Sequence, residues 1–196
     1  MRWPEHVHIK EVGPRDGLQN ESQFVSTDDK VTWINMLSET GLKEIEYTSF
    51  VHPKWVPALR DAREVGKRIT RHPDVKYSAL VPNLIGLEHA LEAGIDVVNV
   101  FMSASESHNK KNINKTIDET YPVLKEVIDE AKKADKKVTG YVSTVFDCPF
   151  EGSVSIDQVI DVCERLVELG VDDLSLGDTL GTAVPSQVER LLEAIL

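Results

Sequence analysis

Apolar and polar residues follow two alternating rhythms along this chain, and each rhythm predicts a different kind of element. Short apolar runs that end at glycine, proline or charged residues predict six buried strands, at Val7–Val12, Glu44–Ser49, Val75–Leu80, Val97–Met102, Lys137–Thr144 and Asp173–Leu176. Apolar residues at helical spacing between these runs predict helices, at about Thr27–Ser38, Trp55–Thr70, Asn83–Ala93, Ile117–Ala131, Ser155–Leu169 and Pro185–Leu196. In the clearest helix, Ser155 can cap the start and Gly170 can end it.

The repeated strand–helix order predicts a parallel sheet with right-handed crossovers and strands buried on both faces. Two α/β architectures compete: an open doubly wound sheet and a (β/α)8 TIM barrel. No GxGxxG or Walker motif follows any strand, which argues against the first. Polar residues near the carboxyl end of nearly every strand favour the barrel, where they would share one rim: Arg15, Asp16, Glu46, Ser49, Asn83, Ser103, Ser105, Tyr141, Ser143, Asp178 and Thr179.

No Gly/Ser-rich or low-complexity linker divides the chain, so we expect a single catalytic barrel domain over residues 1–196. A closed barrel needs eight strands, whereas six are predicted before the helix that begins at Pro185. Without closure, the first and sixth strands would keep unpaired apolar edges. We therefore expect the sequence to supply about the first six βα units of a longer protein, truncated at its carboxyl end.

Composition narrows the class of protein. The chain has 33 acidic and 22 basic residues and a net charge of −11, which argues against nonspecific binding to nucleic acid or to an anionic membrane. No stretch resembles a transmembrane span, and Met1–His6 has no signal-peptide core. Its two cysteines, Cys148 and Cys163, form no disulfide framework. We expect a cytoplasmic protein with a sizeable core.

Arg15 and Asp16 carry the most informative chemistry. They follow the first predicted strand, which Gly13-Pro14 ends abruptly, so they emerge at the end of the strand where α/β proteins assemble their sites. An arginine offers rigid, permanent donors to an oxyanion, and an adjacent carboxylate can bind a divalent cation. A surface ion pair in a βα turn is the simpler interpretation of an arbitrary Arg-Asp dipeptide. The pair otherwise predicts a metal-assisted reaction at a carbon–carbon bond.

Several longer segments resemble one family. They are EVGPRDGLQNE at Glu11–Glu21, IEYTSFVHPKW at Ile45–Trp55, KKNIN at Lys110–Asn114, GYVSTVFDCPFEG at Gly140–Gly152 and SLGDTLG at Ser175–Gly181. In this order, they resemble the 3-hydroxy-3-methylglutaryl-CoA (HMG-CoA) lyases, barrel metallolyases related to the isopropylmalate and homocitrate synthases. The synthases usually open with a DTTLRDGEQ-like motif, whereas GPRDGLQNE is similar to the lyase branch.

This resemblance implies cleavage of HMG-CoA to acetyl-CoA and acetoacetate, with Mg²⁺ or Mn²⁺ as the cofactor and leucine degradation as the pathway. It implies that Asp16 ligates the metal and that Arg15 stabilises the enolate of the leaving thioester. Glu46 matches an essential acidic residue, to which we assign the orientation of Arg15 and of metal-bound water. The remaining expected substrate contacts are Gln19, Ser49, Tyr141 and Thr179, and Asp178 is expected behind them.

The sequence departs from the family at the metal site. The family's His-x-His motif, its Asn ligand and its glycine-rich loop with a catalytic cysteine have no counterpart here. His6-Val7-His8 enters the first strand at its amino-terminal end, so we interpret it as structural. Because one carboxylate holds a divalent ion only weakly, the 196-residue chain by itself is expected to be inactive.

Other reactive side chains receive simpler interpretations. Cys148 lies in a loop after the fifth strand, where we expect it to be exposed with a redox or structural role, and Cys163 is expected in the core. His52 and His108 are interpreted as loop histidines. Lys110 and Lys111 could reach CoA phosphates, although a solvated lysine pair is the favoured interpretation.

Two other functions stay open. The same site could catalyse a Claisen-type carboligation of acetyl-CoA with a 2-oxo acid. Alternatively, a shortened paralogue could serve as a non-catalytic interaction subunit through its edge strands. An acyl-CoA substrate is the expected partner, and the oligomeric state, including a homo-oligomer, stays open.

Overall fold

Parallel pairing of consecutive strands dominates the backbone, which a computed structural model describes over residues 4–196. The first three residues of the Met1–His6 prediction therefore lie outside the described residues. The elements are β1 (Lys10–Glu11), a π-helical turn (Gly13–Gly17), α1 (Thr27–Ser38), β2 (Glu44–Ser49), a 3-10 turn (Pro57–Leu59), α2 (Ala62–Arg68), β3 (Lys76–Leu80), α3 (Leu84–Glu92), β4 (Val97–Ser103), α4 (Glu106–Ile113), α5 (Ile117–Lys133), β5 (Lys137–Ser143), β6 (Asp147–Cys148), β7 (Gly152–Ser153), α6 (Ile156–Leu169), β8 (Asp173–Leu176) and α7 (Pro185–Ile195).

Within the described residues, six strands form one sheet in the order β1-β2-β3-β4-β5-β8. Its described pairings are parallel, as the alternation of strands and helices predicted. Glu46 pairs with Ser78, and an irregularity between Glu46 and Thr48 shifts the register of the next pairs. A separate antiparallel hairpin joins β6 to β7.

The chain divides into two compact units. The amino-terminal unit comprises residues 5–99 and 133–137, and the carboxy-terminal unit comprises residues 100–132 and 138–196 with Pro4. In the first, fully buried apolar side chains come from α1, β2, β3 and β4, such as Ile34, Ile45, Tyr77, Ala79 and Val98. In the second they come from α5, β5 and α6, such as Val127, Ala131, Val138, Val159 and Leu166. Each unit thus buries strands under the helices that connect them.

Helix ends agree closely with the capping residues in the sequence. Ser155 caps α6 by accepting a hydrogen bond from the backbone N–H of Gln158 over 3.3 Å. Gly170 ends the helix at a φ of 103°, a conformation that side-chain-bearing residues rarely adopt. A serine cap of this kind stabilises a helix by about 1 kcal/mol. Both predicted ends of α6 are confirmed.

The first predicted strand is mostly wrong. Only Lys10 and Glu11 pair, with Glu44 and Ile45 of β2. The side chains predicted to be buried before them are exposed, Val7 to 74% and Ile9 to 67%. Within residues 4–196, β1 has a single neighbouring strand, so tertiary contacts cover only part of its apolar run.

Two other segments differ from prediction. The helix expected over Trp55–Thr70 is divided into the 3-10 turn and α2, with a break at Arg60 and Asp61. Pro57 takes the first position of the 3-10 turn, where its missing N–H is tolerated, so helical structure begins there and not at Trp55. Helix α4 was not predicted, since its sequence ESHNKKNI has little apolar periodicity. Among residues 4–196, no helix has both the length and the apolar character needed to cross a membrane.

Candidate active site

The turn that carries Arg15 and Asp16 is held by short local bonds. Its shape comes from one carbonyl, Val12 O, which accepts from the N–H groups of Arg15 over 3.0 Å and Asp16 over 2.7 Å. The carboxylate of Glu11 accepts from the Gly13 N–H over 2.6 Å. Pro14, buried at the first positions of the turn, fixes its backbone torsion. These bonds set where both functional side chains leave the backbone.

Arg15 lies between two carboxylates. Its Nε donates to Glu46 Oε1 over 2.8 Å, its Nη2 approaches Glu46 Oε2 at 3.4 Å, and its Nη1 donates to Asp16 Oδ1 over 2.7 Å. Glu46 is completely buried, the Arg15 side chain is 12% exposed and Asp16 is 56% exposed. A buried carboxylate with a bidentate arginine partner is rigidly oriented. Solvent exposure therefore increases from the buried Glu46 carboxylate, through Arg15, to the exposed carboxylate of Asp16.

Arg15 keeps hydrogen-bonding capacity for a ligand. A guanidinium has five N–H groups, and the contacts with Glu46 and Asp16 use three of them. The two remaining donors belong to a cation whose orientation Glu46 already restricts. Preorganised donors of this type can stabilise an oxyanion without reorganising during the reaction.

Asp16 alone does not make a divalent-cation site. Within residues 4–196, no group of three or more His, Cys, Asp or Glu side chains is arranged to hold a metal. Mg²⁺ and Mn²⁺ sites use several oxygen or nitrogen ligands, so the donors described here do not fit a complete site. The role of Asp16 as a metal ligand therefore stays a prediction, and the chemistry assigned to this chain involves Arg15 and Glu46.

Two further predicted contacts lie in the same unit. Ser49 ends β2, three residues after Glu46, and is buried. Its Oγ accepts from the N–H of Val51 over 3.3 Å, which turns the chain at the end of the strand. Gln19 is exposed in the segment that follows the Arg15 turn. The structure thus joins Arg15, Asp16 and Glu46 directly and leaves Gln19 at the surface.

Tyr141 and Thr179 belong to the carboxy-terminal unit. Tyr141 is a partly buried residue of β5, paired in register with Ser175 of β8. Thr179 follows β8, and its Oγ1 accepts from the N–H of Thr144 over 2.7 Å. Asp178 accepts from the N–H groups of Thr182 over 3.2 Å and Ala183 over 2.9 Å, so its carboxylate supports the loop.

The prediction that Cys148 is exposed is wrong. Cys148 is only 3% exposed, and Ser105 Oγ donates to its Sγ over 2.8 Å. Its Sγ also accepts from the N–H of Phe150 over 3.4 Å, within the β6–β7 hairpin that local sequence did not reveal. Cys163 is buried on α6, as predicted, and burial raises the pKa of its thiol to about 11.

Helix α4 places several polar residues that sequence reasoning assigned to a loop. His108 Nδ1 lies 2.6 Å from Ser103 Oγ, and burial lowers the pKa of the imidazole. Lys111 Nζ lies 4.0 Å from the centroid of the Phe150 ring, and Lys110 pairs with Glu106 at 3.0 Å. Both lysines therefore have partners within the protein. Ser105 caps the start of α4 by accepting from the N–H of His108 over 3.2 Å, a signal that the sequence analysis did not use.

A parallel α/β sheet with an arginine and two carboxylates beside its first two strands places the chain in the class of α/β-barrel proteins, and comparison with known proteins agrees. The HMGL-like family model matches residues 6–196. The hydroxymethylglutaryl-CoA lyase YngG of Bacillus subtilis is 60% identical over 196 residues, which are 100% of this chain and 66% of that protein. The chain belongs to the HMGL-like family.

Solved structures agree with this assignment. The crystal structure of the Bacillus subtilis HMG-CoA lyase matches with a TM-score of 0.97 at 59% identity, over 100% of this chain and 65% of that one. An HMG-CoA lyase from Acinetobacter baumannii, solved in complex with coenzyme A and 3-methylmalate, matches with a TM-score of 0.93 at 41% identity, over 96% and 62%. The predicted fold class, six βα units of a (β/α)8 barrel, is confirmed. The chain spans between half and two thirds of the length of the curated relatives.

Proposed function

We propose that this sequence is part of an enzyme that cleaves HMG-CoA to acetyl-CoA and acetoacetate, and that it supplies the part of the active site that contains Arg15. The proposal concerns a polypeptide as long as the full-length relatives. The observation that carries the proposal is the buried Glu46 carboxylate bound to Arg15 at 2.8 Å, with Asp16 on the opposite side of the guanidinium. The 60% identity to a lyase supports the same assignment. Activity of the 196 residues by themselves is not part of the proposal.

Arg15 acts on the charge that the reaction creates. Loss of the tertiary hydroxyl proton allows the carbon–carbon bond to break, its electrons form the enolate of the acetyl thioester, and the other fragment becomes acetoacetate. A proton then returns to the enolate carbon to give acetyl-CoA. The free N–H groups of Arg15 stabilise the enolate oxygen, and Glu46 holds the guanidinium so that no reorganisation is needed.

An acyl-CoA is the proposed substrate. A related lyase at 41% identity was solved with coenzyme A, which supports a thioester of this cofactor as the ligand of the family. Gln19, Ser49, Tyr141 and Thr179 are proposed substrate contacts, of which Ser49 is buried and Gln19 exposed. A divalent cation on Asp16 would need ligands besides those described here. We place the enzyme in the cytoplasm, because both cysteines are buried as free thiols.

Replacing Arg15 tests the proposal. In the full-length protein, Arg15→Gln should lower the rate of acetoacetate release from HMG-CoA by about 100-fold or more, because a preorganised oxyanion donor is lost. Arg63→Gln is the matched control, since Arg63 is about half exposed and pairs with Glu92. Turnover by the Arg15 variant within a few-fold of wild type would overturn the assignment.

A second measurement separates cleavage from carboligation. A carboligase that joins acetyl-CoA to a 2-oxo acid releases the free thiol of CoA, whereas the lyase releases none. Wild-type protein should therefore give acetoacetate from HMG-CoA and no thiol from acetyl-CoA with a panel of 2-oxo acids. Thiol release with any of these acids, without acetoacetate from HMG-CoA, would favour the carboligase.

A further inference from the structure

Thr144 has an unusual backbone conformation directly after β5. Its φ is 59°, in the left-handed region, and the residue is fully buried. Asn114 and Asp135 also have positive φ values, but short polar side chains of their kind tolerate this region. A β-branched residue there is an outlier that surrounding structure must enforce. Such residues concentrate at functional sites, so the contacts of Thr144 are informative.

Thr144 and its neighbours connect the ends of three strands. Thr144 Oγ1 donates to Ser143 O over 2.7 Å and accepts from the N–H of Ser105, after β4, over 3.3 Å. The Thr144 N–H donates to Thr179 Oγ1 over 2.7 Å, and the next N–H, of Val145, donates to Gly177 O over 3.2 Å. All of these residues lie in the carboxy-terminal unit.

The left-handed turn explains the two consecutive donors. In an extended strand, successive N–H groups point to opposite sides, so two neighbouring amides do not reach the same segment. At Thr144 they both reach residues 177–179, after β8. Glycine could adopt this φ without strain, but it would lack the hydroxyl that binds Ser105 and Ser143. Threonine therefore combines a turned backbone with a side chain that anchors the turn.

We propose that Thr144 is a positioning residue that orients the hydroxyl of Thr179 toward a substrate oxygen. Because Thr179 Oγ1 accepts from the Thr144 N–H, one of its lone pairs is occupied. Its own proton has only a weak internal acceptor, Gly177 O at 3.5 Å, and so is available to a ligand. This inference rests on the proposed function, in which Thr179 contacts the acyl-CoA substrate.

Kinetics of three variants in the full-length protein test the proposal. Thr144→Val keeps the shape but removes the hydroxyl, and should raise the KM for HMG-CoA about tenfold with little change in kcat. Thr144→Asn is the conservative variant, because asparagine tolerates a positive φ and keeps a side-chain acceptor; its KM should stay near wild type. Thr179→Val should match Thr144→Val, and the double variant should be no worse than either single variant.

Amide hydrogen exchange tests the same contact without any reaction. Thr179→Val should accelerate exchange at the Thr144 N–H about tenfold or more, while Thr179→Ser should preserve its protection. This readout also serves if Thr144→Val does not fold. Unchanged exchange in Thr179→Val, or KM effects of Thr144→Val and Thr179→Val that multiply in the double variant, would overturn the positioning role. Absence of lyase turnover in wild type would refute the proposed function and leave the exchange result to decide the contact.

Discussion

Arg15 and Glu46 lie 31 residues apart and form a part-buried ion pair, with 2.8 Å between Nε and Oε1. The pair connects the turn after β1 to the buried middle of β2. Removing one partner of such a pair leaves the other charge uncompensated and free to take other orientations. The orientation of the Arg15 guanidinium thus depends on the carboxylate of Glu46, which is completely buried.

Glu46→Gln should lower the turnover of HMG-CoA by about 100-fold in the full-length protein, because Arg15 loses its charged anchor. Steady-state kinetics on HMG-CoA measure the effect. Glu44→Gln, two residues earlier on β2, is the matched control, since Glu44 pairs with Lys10 at 2.7 Å. Equal activity of the two variants would refute the role of Glu46.

Gly13→Ala should destabilise the Arg15 turn. A Cβ at Gly13 would lie 2.9 Å from Glu11 Oε1 and 3.2 Å from the Trp33 ring, closer than packed atoms normally approach. Overpacking of this kind costs about 1–3 kcal/mol in the free energy of unfolding, which denaturant titration measures. Gly17→Ala, in the same turn, meets nothing within 4 Å and should change stability by less than about 0.5 kcal/mol. Equal losses in both variants would contradict this packing.

Lys30→Met should cost about 3 kcal/mol or more of unfolding free energy. The Lys30 side chain is 3% exposed, and its Nζ lies 2.6 Å from both Asp61 Oδ1 and Ala58 O. Without the lysine, the carboxylate of Asp61 is buried without its cation. Lys125→Met removes an exposed pair with Asp129 and should cost less than about 1 kcal/mol.

A double variant checks the cause of the Lys30 effect. Lys30→Met/Asp61→Asn removes both charges, so it should recover part of the stability that Lys30→Met loses. A double variant less stable than Lys30→Met would show that packing, rather than the unpaired carboxylate, dominates the loss.

The thiol of Cys163 should make stability depend on alkaline pH. Burial raises its pKa from an ordinary value of 9.0 to about 11, so between these values the folded chain keeps a proton that the unfolded chain releases. The contribution is fully present below pH 9 and is lost as pH rises toward 11, by about 3 kcal/mol at most. Denaturant titrations of wild type and Cys163→Ala should therefore converge over this window. A constant difference between them would contradict the pKa shift.

Much of the fold follows from local pattern. The bounds of β2, β8 and α1 were predicted to the residue, since apolar runs and capping residues act over a few positions. The prediction of a buried strand over Val7–Val12 was mostly wrong. An apolar run is buried only where other elements pack against it, and the local sequence pattern does not show whether they do. Helix α4 escaped prediction for the opposite reason: tertiary contacts stabilise a polar sequence.

The sequence by itself determined the order of strands and helices, the caps of α6, and the placement of Arg15 and Asp16 directly after the first strand, because these depend on local periodicity and chain order. The resemblance assigned Glu46 to the orientation of Arg15, but only the tertiary structure decided that Glu46 is fully buried within β2 and that Cys148 is buried. It also decided the left-handed backbone of Thr144. Hydrogen bonds between residues distant in sequence select these features, and no local spacing encodes them.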